Sequence, residues 1–234
     1  MFKGKLMASG GNSKTVKGDK LLQYETAIMY LAPYTSAGGT NVCPMAETAR
    51  CIEGCLNTAG RASILAMIPA ARIAKTRRYL NDRKQFLADM VADLERFVRY
   101  CERKGVKPAI RLNGTSDIQW ERGHTVTRYF TVPTADGTVK REQVFPSIMA
   151  AFPEVQFYDY TKIPQRMVRG NLPSNYALAL SYSGANADYA SRVSMATAEG
   201  GANMAVVFRT KARVAEVLRL GDWRGFKVID GDET

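Results

Sequence analysis

The stretch RKQFLADMVADLERFVRYCERKGVKPAIRL, residues 83–112, decides the fold. Leu87, Met90, Val91, Leu94, Phe97, Val98 and Cys101 recur at spacings of three and four, the apolar stripe of one helix from about Arg83 to Lys104. Asn81 or Asp82 can cap its start and Gly105 its end. After Lys107-Pro108 the pattern changes to a short apolar strand, Ala109 to Leu112. A helix that hands over to an apolar strand through a glycine cap is half of a right-handed βαβ unit, which implies a parallel sheet. Cys101 falls on the buried stripe and reads as a core residue.

The same alternation extends in both directions. Upstream, Glu25 to Leu31 (ETAIMYL) reads as a strand ended by Pro33, and Ile64 to Arg78 as a helix. Residues 1–21, with Gly10-Gly11-Asn12-Ser13 at their centre, read as a flexible basic arm. Downstream, Thr125 to Val132 and Thr138 to Val144 flank Ala135-Asp136-Gly137, a hairpin inserted at about 124–144. A helix at Ser147 to Phe152 follows, then strands at Val155 to Tyr158 and Tyr176 to Tyr182, and a helix at Ala187 to Ala198 closed by Gly200-Gly201. A strand at Met204 to Phe208, a helix at Lys211 to Leu218 and a strand at Phe226 to Ile229 complete the pattern. The expected fold is a single α/β domain over 22–234, a partial or complete parallel (βα) barrel with a β-hairpin insertion. A doubly wound sheet is disfavoured because no GxGxxG follows the first strand.

At 234 residues, 46% hydrophobic and 24% charged, the chain can bury a core, which excludes a small disulfide scaffold and wholesale disorder. Its net charge of +11 is unevenly placed. Residues 61–111 hold 13 basic and 5 acidic side chains and residues 1–20 hold 5 and 1, so the remainder is nearly neutral. That distribution points to nucleic acid or another polyanion as partner, with Arg72, Lys75, Arg77, Arg78 and Lys84 as its contacts. A solvated surface that favours solubility is the plainer alternative. No apolar run is long enough for a signal peptide or a membrane span, so a reducing cytoplasm is expected, the host cell's for a phage-encoded chain, and no membrane partner.

Parallel sheets build their sites from loops at the carboxyl ends of the strands. Those ends carry the loop of Cys43 to Cys55, then Asn113 to Asp117, Asp159 to Lys162, Ser181 to Asn186, Arg209, and Asp230 with Asp232. Asp117, Asp159 and Lys162 are candidate catalytic groups, and Asn113, Gly114, Ser183 and Asp230 candidate cofactor contacts. For the two aspartates, capping of the following helix is the alternative. Trp120, Tyr158 and Tyr160 can stack on a base or pack as ordinary half-buried aromatics.

Cys43, Cys51 and Cys55 are spaced C-x7-C-x3-C. Three thiolates can hold three irons of a [4Fe-4S] cluster with the fourth open, or supply three of four zinc ligands, with His124, the single histidine, as the fourth. Loosely packed thiols in a loop and direct thiol chemistry are the remaining readings. The run CPMAETARCIEGCLNTAGR, with RLNGTSDI, FYDYTK, LSYSGAN and VIDGD, resembles a family of uncharacterised bacteriophage and prophage proteins from Tyr24 onward. More distantly, a three-cysteine loop after the first strand of an α/β half-barrel resembles the radical S-adenosylmethionine enzymes. That resemblance implies that Cys43, Cys51 and Cys55 ligate a [4Fe-4S] cluster. It also implies that Asn113, Gly114 and Asp117 sit where the amino acid part of S-adenosylmethionine is held. The runner-up is a nucleic-acid-binding phage protein in which the thiols hold zinc and brace a basic surface.

Overall fold

The computed structural model describes residues 1–231 apart from Asp136, Arg169 and Asn171, and the backbone alone of Arg61. In chain order it comprises β1 (Met7–Ser9), α1 (Ser13–Leu22), β2 (Tyr24–Met29), a 3-10 turn at Leu56–Thr58, α2 (Arg61–Ile64), α3 (Met67–Asn81), α4 (Arg83–Lys104) and β3 (Lys107–Arg111). The hairpin β4 (Val126–Thr134) and β5 (Gly137–Phe145) is followed by α5 (Ile148–Ala151), β6 (Gln156–Thr161), α6 (Gln165–Val168), β7 (Tyr176–Ser181) and α7 (Ala187–Gly200). The chain closes with β8 (Asn203–Ala205), α8 (Lys211–Leu220), β9 (Asp222–Trp223) and β10 (Phe226–Lys227).

Six strands form the main sheet in the order β1-β2-β3-β6-β7-β8. The pairs from β2 to β8 are all parallel, and β1 runs antiparallel along the β2 edge. Strands adjacent in this part of the sheet follow one another along the chain, so each crossover advances the sheet by one strand in the same direction, the winding of a mixed α/β protein without a switch point. Register alternates the faces. Ala27, Ile110, Phe157 and Tyr176 align across β2, β3, β6 and β7 and face the helices, where they join the main core. Tyr158 and Tyr160 belong to the opposite face, where the Arg111 guanidinium lies 4.9 Å from the Tyr160 ring. The inserted hairpin pairs from Val126↔Phe145 to Thr134↔Gly137, and Asp136 of its expected turn lies outside the described residues.

Helix α4 forms as its pattern requires. Asp82 accepts from Gln85 N, Gly105 ends the helix at φ 65°, and Phe86, Leu87, Met90, Val91, Leu94, Phe97 and Cys101 are buried. Phe86 also packs against Tyr79 and Trp120, which ties α3 to the loop after β3.

Two expectations are corrected. Residues 1–21 are not a flexible arm: Phe2, Leu6 and Met7 sit in the main core, β1 adds a strand to the sheet, and α1 is capped by Asn12 and held by Asp19, whose carboxylate accepts from Thr26 N and Oγ1. A Gly-rich, basic composition hides the three apolar anchors Phe2, Leu6 and Met7, whose spacing matches neither a helix nor a strand. The last strand is not the sixth of the main sheet either, because Phe226–Lys227 pairs only with Asp222–Trp223 in a two-residue ladder.

What holds the N-terminal segment is a single buried carboxylate. Asp93, 1% exposed, accepts from the main-chain N–H of Lys5 at 2.9 Å, Leu6 at 2.7 Å and Met7 at 3.4 Å. A Cβ on Gly4 would lie 2.4 Å from its Oδ2, so this approach requires glycine. Asp93→Ala removes the acceptor from three N–H groups at once. We expect a loss of about 3 kcal/mol in urea unfolding and rapid tryptic cleavage at Lys3 and Lys5. An unchanged midpoint would show that the core contacts of Phe2 and Leu6 suffice alone.

Candidate functional site

The carboxyl end of the sheet is assembled around Asn113, just beyond β3. Its Oδ1 accepts from Ser116 Oγ, Ile118 N and Trp120 Nε1, its Nδ2 donates to Ile118 O and Asp159 Oδ2, and its main-chain N donates to Asp159 Oδ1 at 2.8 Å. Four residues further, Asp117 is buried and accepts from Thr161 Oγ1 (2.8 Å), Lys162 N (2.7 Å) and Arg166 Nη1 (3.1 Å). Arg166, 3% exposed, also forks onto Glu121 and donates to Tyr176 Oη, and Tyr176 Oη in turn donates to Asp159 Oδ2. One connected network therefore joins the carboxyl ends of β3 and β6 to Tyr176 at the start of β7.

The cysteine loop is bolted onto that network. Asp117 N donates to Val42 O, the Cys43 thiol lies 3.9 Å from Thr115 O, and Ser183 Oγ, beyond β7, donates to Ala49 O at 2.7 Å. Ala49 is fully buried against Leu180, Tyr189 and Val193, which pins the middle of the loop to β7 and α7. On the other side, Cys55 Sγ accepts from Asn57 N and caps the 3-10 turn. Arg72 donates to both Asn57 oxygens and stacks on Tyr30.

Electrostatics show which groups feel one another. Burial raises the Cys51 thiol, and the Lys162 ammonium is the first charge that draws it back. Burial pushes Cys43 up to about 12, with smaller contributions from the charges of Asp117, Cys55 and Cys51. Burial lowers Lys162, and the charges of Cys51, Asp117 and Cys55 raise it. Its Nζ donates to Ser181 O and Oγ and lies 5.7 Å from the Tyr189 ring. The three thiols, Asp117, Lys162 and Tyr189 thus share one half-buried region. Among the described residues no three of His, Cys, Asp and Glu stand where they could hold a metal ion together.

Of the residues singled out from the sequence, Cys43, Cys51, Cys55, Asp117, Lys162 and Ser183 meet there. Asn113 and Asp159 stand beside them with their polar atoms engaged by the protein. Gly114 is buried and packed where only glycine fits: a Cβ would lie 2.7 Å from Met29 O and 2.6 Å from the Tyr30 ring. Asp230 follows the small β9–β10 ladder and not a strand of the main sheet, and Asp232 lies outside the described residues. Trp120 is fully buried, and His124 has both ring nitrogens engaged, Nε2 with Tyr79 Oη at 2.9 Å and Nδ1 with Arg122 O.

The basic helix does not present the face its composition implies. Arg72 grips the cysteine loop, Lys75 reaches Leu6 O and is lowered to about 8 by burial, Arg77 donates to Ala37 O, and Arg78 pairs with Asp89. Only Lys84 of the five is exposed without such a partner. Charge counting missed this because helix α3 alternates its cations between loop carbonyls and acids distant in sequence. Arg166 and Tyr189 were also missed. Arg166 lies in the four-residue helix α6, too short to show a periodic pattern, and Tyr189 reads as one more apolar position of α7.

These features define a mixed α/β protein with a mostly parallel sheet, an inserted β-hairpin and a cysteine-bearing loop braced across the sheet's carboxyl edge. A model of the gene product 88 family matches residues 5–234, and the chain belongs to that family, in agreement with the phage-type resemblance of its motifs. No curated protein and no solved structure matches the chain. No helix of the described residues is long and apolar enough to cross a membrane.

Burial raises Asp159 to about 7, against the Asn113 N–H and the charges of Arg111 and Arg166, which lower it. Its unfolded value is about 3.9, so the folded chain binds this proton more tightly. The stability linked to that proton is complete below about pH 4 and lost as pH rises through about 7. Asp159→Asn should therefore flatten the fall in urea midpoint between pH 5 and 7.5 relative to the parent. Parallel pH profiles would show the carboxylate ionised throughout.

Proposed function

We propose that this protein binds a [4Fe-4S] cluster through Cys43, Cys51 and Cys55 and acts as a phage-type enzyme resembling the radical S-adenosylmethionine class. On this reading the sequential parallel sheet is a partial (βα) barrel with its site at the carboxyl edge. The observation that carries it is the shared electrostatic environment of the three thiols and Lys162 at that edge. The donor set fits in chemistry: three soft thiols in one loop, and a lysine whose charge draws the Cys51 thiol back toward its ionised form. The thiols do not stand in ligating positions, so binding closes the segment Cys51 to Cys55, which includes Gly54 and the exposed Ile52. Thiol protons must leave on binding, and the charge of Lys162 favours the loss at Cys51.

A bound cluster supplies one-electron chemistry at its open iron. Asn113 and Gly114 are engaged by the fold, so S-adenosylmethionine enters this reading only as a ligand of that iron. Zinc is the weaker alternative because His124, its one imidazole donor, is held by Tyr79 and Arg122 in the aromatic core.

Protein purified without oxygen, or reconstituted with iron and sulfide, should be brown, absorb near about 400 nm and contain about four irons per chain. Cys43→Ala, Cys51→Ala and Cys55→Ala should each abolish the colour, whereas Cys101→Ala should keep it. Stoichiometric zinc without iron, or colour that survives all three substitutions, overturns the reading.

A further inference from the structure

The cations of α3 are engaged inside the protein, and the unpaired ones gather elsewhere. A cavity of about 290 Å³ opens between the N-terminal segment and α4, lined by Lys3, Arg96, Arg99, Arg103 and Tyr100 together with the first two residues. No acidic side chain is in its wall. Arg96 is partly tied, to Asp93 at 3.5 Å and Lys3 O at 3.2 Å. Arg99 and Arg103 are exposed, with no ion pair or hydrogen bond among the described residues.

The cleft is built and does not depend on a floppy tail. Asp93 clamps Lys5 to Met7, and Phe2 packs on Phe97 at 5.1 Å and Tyr100 at 5.9 Å, which fixes Lys3 opposite the arginines. Arg96, Arg99 and Arg103 follow one helix face over seven residues, a row about 10 Å long at about 1.5 Å per residue. Asp93 offsets Arg96 alone, so Arg99, Arg103 and Lys3 repel one another and the arrangement favours a polyanion that neutralises them.

We propose that this cleft binds the phosphodiester backbone of single-stranded nucleic acid. Arg96, Arg99 and Arg103 offer one guanidinium each, enough for three phosphate contacts along a single strand. Arginine forks match phosphate oxygens, and Tyr100 gives an aromatic wall for a sugar or base. The site is separate from the cysteine loop, and its test does not depend on iron binding.

The test is fluorescence anisotropy with a labelled 20-nucleotide oligothymidylate, and with an RNA of the same length, on the full chain. Three phosphate contacts at about −0.7 per contact give a loss of affinity of about 20-fold between 50 and 200 mM salt. Arg99→Glu with Arg103→Glu should weaken binding at least tenfold at 50 mM salt and flatten the salt slope by about 1.4, with an unchanged circular dichroism spectrum. Arg219→Glu, an exposed cation of α8, should stay within twofold of the parent. The proposal is overturned if the double variant binds like the parent or if the parent binds no oligonucleotide. It is equally overturned if polyglutamate or inorganic phosphate at matched charge competes as well as unlabelled oligothymidylate does, since the cleft then reads charge alone or a small anion.

Discussion

Asn113 and Asp159 bind each other through the main-chain N–H and the side-chain amide of Asn113, and both are buried. The β3 and β6 ladder aligns only Ala109↔Gln156 and Ile110↔Phe157, so beyond Ile110 the two strands are joined by side chains in place of a regular ladder. Each buried polar atom that lost its partner here would cost about 1 to 3 kcal/mol, and Asn113 alone makes six such bonds across a strand end, a loop and Trp120. That junction fixes where the chain turns after β3, and the turn delivers Asp117.

From Asp117 the constraint passes to the site. Its carboxylate fixes the first residues after β6, Lys162 is thereby placed beyond the strand end, and Lys162 meets Ser181 of β7 and the field of Cys51 and Cys55. The cysteine loop itself has little regular structure, and its position rests on Val42, Ala49 and Asn57 being held by Asp117, Ser183 and Arg72. A rigid polar frame with thiols in a connecting loop suits a group that is bound by closing the loop over it. The N-terminal segment repeats the device at the opposite flank of α4, where one buried aspartate, Asp93, holds a short turn by its N–H groups.

Local pattern carried most of the fold. The α4 stripe, its Asp82 and Gly105 caps, the parallel strands and the hairpin all follow from periodicity and turn chemistry that depend only on near neighbours. That the loops after β2, β3 and β6 bring Cys51, Asp117 and Lys162 into one electrostatic neighbourhood accords with parallel strands, which open their loops on one side. Long-range pairing was not legible. Nothing near Lys75 indicates that it will meet Leu6 O, nor near Arg78 that Asp89 will claim it, so a count of basic residues does not show which of the cations are engaged inside the protein. The buried roles of Asn113 and Asp159 were hidden for the same reason, since their partners are each other, 46 residues apart.

The central claim is that the loop thiols, drawn toward Lys162 at the sheet's carboxyl edge, bind iron as a cluster. Iron-edge X-ray absorption of the anaerobically reconstituted full chain tests it most directly. The account predicts a first shell of sulfur with iron neighbours, lost in Cys51→Ala. A first shell of oxygen and nitrogen without iron neighbours would contradict it.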